Sequence, residues 1–96
     1  MPEMLSGYKA MRYAFLEQNA PQMLAEMEGQ GTLEAHLSRI EQDVNERRAD
    51  LEPLHQKRLG ATEDLKASDW GAWVKLCEQA QRSAREQAIR EVIEAL

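Results

Sequence analysis

The 96-residue chain contains one cysteine, Cys77. An intrachain disulfide is excluded, and so is a zinc site built from paired cysteines. A lone thiol suits a reducing, cytoplasmic setting. Sheet-forming residues are scarce: three valines, three isoleucines and two threonines, in no alternating run, leave little to build a sheet from. No apolar stretch approaches the roughly 20 residues that a membrane span needs. The opening Met1-Pro2-Glu3-Met4-Leu5 lacks the charge-then-apolar order of a signal peptide. No membrane association is expected.

Chemistry-bearing motifs are missing too. None of the five glycines stands in a GxGxxG or GxxxxGK[ST] pattern, and no GxSxG elbow occurs. This argues against a nucleotide-dependent enzyme and a serine hydrolase. Cationic excess is absent: 12 Lys and Arg face 17 Asp and Glu, for a net charge of −5. Phosphate binding gains its affinity by counterion release through Lys and Arg, so nucleic acid is not the expected partner. A local basic patch stays open, with Lys9, Arg12, Arg47, Arg48, Lys57 and Arg58 as its members.

What remains is helical periodicity. From about Glu3 to Gln18, Leu5, Tyr8, Met11, Arg12, Phe15 and Leu16 recur at helical spacing. Asn19 is placed to cap a short second helix, with Pro21 in its first turn. That helix carries Met23, Leu24 and Met27, and Gly29 and Gly31 end it. Thr32 is the expected cap of the third. There Leu33, Leu37, Ile40, Val44, Arg47, Leu51, Leu54 and Arg58 alternate steps of four and three, a heptad seam interrupted by two arginines. Pro53 conflicts with it, because an interior proline costs about 3 kcal/mol. A break or kink is expected near Leu51–Pro53, with the helix resuming to Leu59.

Gly60 then stops the chain, Thr62 caps a short turn, and Ser68 is expected to cap the last helix with Asp69 in its first turn. Trp70, Trp73, Val74, Cys77, Ala80, Ala84, Ala88 and Val92 continue a three-four rhythm. The fold class is therefore all-α, residues 1–96 forming a single helical domain. Its expected architecture is an antiparallel, coiled-coil-like helical hairpin with one or two short N-terminal helices packed on it. Trp70 and Trp73, with Gly60 and Pro53, are read as structural. The tryptophans should meet Leu54 and Leu59 near the bend.

Candidate sites are few. His36 and His55 read as solvent-accessible helix residues. Cys77 reads as a small hydrophobe in the seam, since a nucleophile needs a base and an electropositive site. Glu52-x-x-His55 is half of a four-helix carboxylate–His metal site; a second half would have to come from another copy, and a solvated face is the preferred reading. No metal and no cofactor are expected. Arg47 and Arg58 either snorkel at the rim of a small core or pair with a partner's carboxylates. Met4, Tyr8, Met11, Phe15, Met23 and Met27 form an adaptable apolar candidate surface for a partner, against ordinary core filling. Glu41, Asp43, Glu46 and Asp50 form an acidic one.

The run Gly60-Ala-Thr-Glu-Asp-Leu-Lys-Ala-Ser-Asp-Trp-Gly-Ala-Trp-Val74 resembles a segment of the TnpV family, small proteins of bacterial transposons and conjugative elements, whose pattern is similar to GVTEQLKAEDQMAWV. Gly60, Thr62, Glu63, Leu65, Lys66, Ala67, Asp69, Ala72, Trp73 and Val74 match in order. Met11-Arg12-Tyr13 and Leu33–Ile40 are similar more loosely. Trp70 departs, standing where the family more often has a polar residue. The resemblance implies a mobile-element origin and a mostly helical fold, and supplies no activity for named residues.

The expected function is therefore a non-catalytic interaction or accessory protein of a mobile genetic element. It would bind a protein partner and self-associate, as a dimer. Two alternatives stand beside it: a small acidic inhibitor of a host defence nuclease, of the anti-CRISPR kind, and a DNA-binding accessory factor.

Overall fold

Helix formers dominate the chain, and the glycines set where the helices stop. The computed structural model describes residues 7–96, so Met4 lies outside the described residues. Five α-helices follow in order: α1 Gly7–Asn19, α2 Pro21–Gln30, α3 Leu33–Leu59, α4 Glu63–Ser68 and α5 Trp70–Ala88. A π-helical turn, Ile89–Ile93, extends α5. No strand occurs among the described residues, and no helix there is long and apolar enough to cross a membrane.

Glycine ends α2 and α3 in the same way. Gly31 and Gly60 adopt φ of 73° and 82°, a left-handed conformation that costs side-chain-bearing residues strain. The next residue's N–H then reaches back to the last turn: Thr32 to the Met27 carbonyl, and Ala61 to the Gln56 carbonyl, each at 2.9 Å. This closes the orphan carbonyls of a helix end.

The N-terminal caps differ from expectation at three places. Asn19 is the last residue of α1, its side-chain amide donating to the Phe15 carbonyl at 3.0 Å, so α2 starts after Ala20 without a side-chain cap. Thr32 has helical backbone angles and makes no capping bond; its hydroxyl turns back toward the Met27 carbonyl instead. Asp69, not Ser68, caps α5, its carboxylate accepting from the Ala72 N–H at 3.1 Å. Ser68 still belongs to α4, where its hydroxyl donates to the Leu65 carbonyl. Thr62 caps α4 as expected, accepting from the Leu65 N–H at 3.2 Å.

Pro53 does not break α3, which runs through it. The residue whose carbonyl loses its helical donor is Ala49, and both Ala49 and Pro53 are exposed. On that outer face water takes the place of the missing N–H, which lowers the cost of the proline.

α3 and α5 are the principal packing partners. His55 pairs with Gln87, and Arg47 with Glu91; the order reverses along the two helices, so they run antiparallel. One buried cluster fills this contact with Ile40, Val44, Leu51, Ala84, Ala88, Ile89 and Ile93. The alanines of α5 are wholly buried, which lets the two backbones approach closely. The π turn carries Ile89 and Ile93 inward, while Val92 is only partly buried. A second cluster, Tyr13, Leu16, Leu24 and Leu37, joins α1 and α2 to the start of α3.

Both clusters lie toward one end of the molecule. From Pro53 to Gln79 no residue is buried. The chain is accordingly long, 57 × 23 × 19 Å, with a radius of gyration of 17.2 Å. About 13 Å is usual for a chain of this size.

Candidate functional site

Three arrangements concentrate the chemistry. The first is centred on Arg12, which the periodicity places on the core face of α1 and which is 3% exposed. Its Nη1 donates to the carbonyl oxygens of Ile93 at 2.7 Å and Ala95 at 2.6 Å. Its Nε donates to His36 Nε2 at 3.1 Å, and the guanidinium lies 5.4 Å from the Phe15 ring centroid. The positive charge meets the negative end of the terminal helix in place of a carboxylate. Burial works against the guanidinium charge. His36, accepting at Nε2, carries its own proton on Nδ1 and is neutral; burial and the neighbouring Arg12 both hold its pKa below the usual value.

The second is a polar ladder across α3 and α5. His55 Nε2 lies 2.8 Å from Gln87 Oε1. The Gln87 amide donates to Glu91 at 3.0 Å, and Arg47 donates to both oxygens of Glu91, at 2.5 and 3.4 Å. Hydrogen bonds from Arg47 and then from Gln87 lower the Glu91 pKa to about 2. Arg47 therefore takes its carboxylate from its own chain. On the adjoining flank Arg48 donates to the Tyr8 hydroxyl at 2.7 Å and approaches Glu52 at 3.5 Å.

The third is the connecting end of the α3–α5 pair. Trp70 and Trp73 lie one turn apart, their ring centroids separated by 5.1 Å at an interplanar angle of 37°. Lys66 Nζ sits 4.8 Å from the Trp73 ring and 5.7 Å from that of Trp70, within cation–π range. Contrary to expectation, they form no plug with Leu54. Trp70 is 60% exposed and Leu54 58% exposed. The physical reason is local: α4 is six residues long and packs on α5 alone, so no third helix covers this end.

The expected partner surfaces are distributed unevenly. Tyr8 and Met11 pack against the main cluster, and Met23 and Met27 against the second; Phe15 is half-buried beneath Arg12. Asp43, Glu46 and Asp50 follow one another at three- and four-residue steps on the outer flank of α3. Arg39 stands in the same strip, 3.9 Å from Asp43. Glu41 turns to the other flank, where its charge, with that of Glu34, raises the Lys9 pKa. Of the six candidate DNA-binding cations, Arg12 is buried, and Lys9, Arg47 and Arg48 are engaged by Glu34, Glu91 and Glu52. Glu52 and His55 are held by Arg48 and Gln87 respectively. Among the described residues no group of three or more His, Cys, Asp or Glu side chains is placed to hold a metal ion.

Fold and surfaces thus define a small, elongated all-helical protein whose polar side chains mostly tie its own helices together. Residues 2–93 match the family model described as transposon-encoded protein TnpV, and the chain belongs to that family. No curated protein and no solved structure matches it.

Proposed function

We propose that this TnpV-family chain is a non-catalytic helical interaction protein, an accessory of the mobile element that encodes it, acting in the cytoplasm. One observation carries the reading. From Pro53 to Gln79 the chain keeps Leu54, Leu59, Leu65, Trp70, Trp73 and Leu76 at the surface or half-covered. Apolar residues grouped this way on a small protein mark a contact surface, and tryptophan is the residue most enriched where binding energy concentrates. The segment that carries the family likeness, Gly60–Val74, lies within this stretch.

The nuclease-inhibitor reading draws less support. An anionic decoy needs carboxylates massed on one face, and here Arg39 lies among Asp43, Glu46 and Asp50 while Glu41 points elsewhere. DNA binding is served least, because most of the candidate cations already have partners within the chain.

The test is affinity capture from the host lysate with the intact chain and with Trp70→Glu. Proteins retained by the first and lost by the second support the reading. Identical capture by both would remove the connecting end as the contact surface. A cleavage assay across several defence nucleases addresses the inhibitor alternative.

A further inference from the structure

Resting on that reading, we propose that the exposed connecting end, Pro53–Gln79, docks on the same end of a second copy of this chain. The α3–α5 pairs would lie against one another about a two-fold axis.

Two independent observations select a second copy as the occupant. The first is the missing layer. Toward the buried end, α1 packs across α3 and the π turn, so the helix pair has a third element over its apolar stripe. Toward the connecting end that element is absent, and an apolar stripe on a helix pair requires one. A two-fold copy supplies two more helices of matching length and exposes none of its own stripe, giving a four-helix arrangement.

The second is the distribution of charge. Between Pro53 and Gln79, Lys57, Arg58, Lys66 and Lys75 are matched by four carboxylates, so this end is neutral. The whole net charge of −5 lies on the rest of the chain. A neutral end does not repel its own copy, whereas the remainder does. Joining the neutral ends also sends the two acidic ends in opposite directions along a molecule 57 Å long, several Debye lengths at ordinary salt. A cationic partner would find no excess of anionic charge at this end, and an anionic one no excess of cationic charge.

The uncovered part of α5, Trp70–Gln79, is about 15 Å long. Such a patch belongs with small, transient interfaces of less than about 1,200 Å², so association is expected at micromolar concentrations.

Sedimentation equilibrium from about 1 to 500 μM, a range chosen for that affinity class, tests the proposal together with tryptophan emission, since both tryptophans lie at this end. The expected result is an average mass rising from 11.0 kDa toward twice that value. Emission should shift to the blue over the same range, and neither change should weaken at 0.5 M salt, roughly. Leu54→Glu and Trp70→Glu, both at exposed positions, should each move the midpoint at least about tenfold. Leu96→Glu, at the other exposed apolar residue, should leave it unmoved. A monomer throughout, with constant emission, overturns the proposal; tip-dependent capture of a host protein would then still support the interaction reading on its own. Association that ignores both Leu54→Glu and Trp70→Glu overturns it as well.

Discussion

Arg12 and Ile93, at opposite ends of the sequence, are joined by a 2.7 Å hydrogen bond from the guanidinium to the carbonyl oxygen. The same Nη1 also reaches the Ala95 carbonyl. Helix ends leave carbonyls without donors, and here the first described helix supplies a cation to satisfy those of the last. The bond fastens the terminal turn over the main buried cluster, to which Ile93 belongs.

Replacing Arg12 tests how much that fastening contributes. Hydrogen bonds from a charged donor are worth about 1.5–3 kcal/mol when buried, so Arg12→Ala should destabilise by about 3 kcal/mol. That corresponds to a fall in Tm of roughly 12–24 °C for a domain of this size. Arg12→Lys should recover little, because an ammonium lacks the fork that serves two carbonyls and His36 together. Urea denaturation followed by circular dichroism reads both variants, and full recovery by lysine would show that charge alone suffices.

His36 makes the same centre sensitive to acid. Its Nε2 accepts from Arg12, which a protonated ring cannot do, and its pKa is lowered by burial first and by Arg12 second. A base whose folded pKa lies below its unfolded value contributes stability that is fully present above the unfolded value, about 6.5. That stability is lost as pH falls through the lowered folded value. His36→Gln keeps an acceptor for Arg12 and does not titrate. The urea midpoint of the parent protein should fall from pH 7.5 to pH 5 or so, and that of His36→Gln should fall less. Equal slopes would place the acid sensitivity elsewhere.

Glu91 acts in a separate window. Its pKa is lowered from 4.5 to about 2 by Arg47 and Gln87. Its contribution is therefore present above about 4.5 and disappears as pH falls toward about 2. Arg47→Met should return the Glu91 carboxyl toward its ordinary range, read directly by NMR titration. Both side chains are about 40% exposed, so solvent screening keeps the stability effect small even where the titration shift is large.

The helices, their glycine stops and the leucine and alanine stripes were legible in the sequence because they follow from local periodicity. Thr62 was legible as a cap for the same reason. Arg12 sat in the right periodic position, yet its role was not legible, because its acceptors lie more than 80 residues away. Arg47 had two open readings, and only the antiparallel register that brings Glu91 opposite decides between them. The π turn depends on backbone bonds that composition does not signal. The tryptophans looked like a plug because large aromatics usually bury; nothing in the local pattern showed that α4 would be too short to cover them.

Pro53 stands where the covered and uncovered parts of the helix pair meet. Leu51, two residues before it, is 3% exposed, and Leu54, one residue after it, is 58% exposed. Beyond Pro53, α3 has few tertiary contacts, so its order rests on local helix propensity, which proline lowers by about 3 kcal/mol relative to alanine. Pro53→Ala restores an N–H for the Ala49 carbonyl, while the freer unfolded chain takes back up to about 1 kcal/mol. The net expectation is a stabilisation of about 2 kcal/mol. It should be accompanied by slower amide exchange from Leu54 to Leu59, the segment whose opening the proline favours. Exchange that slows equally around Ile40 and Val44 would show instead that the whole domain opens as one unit.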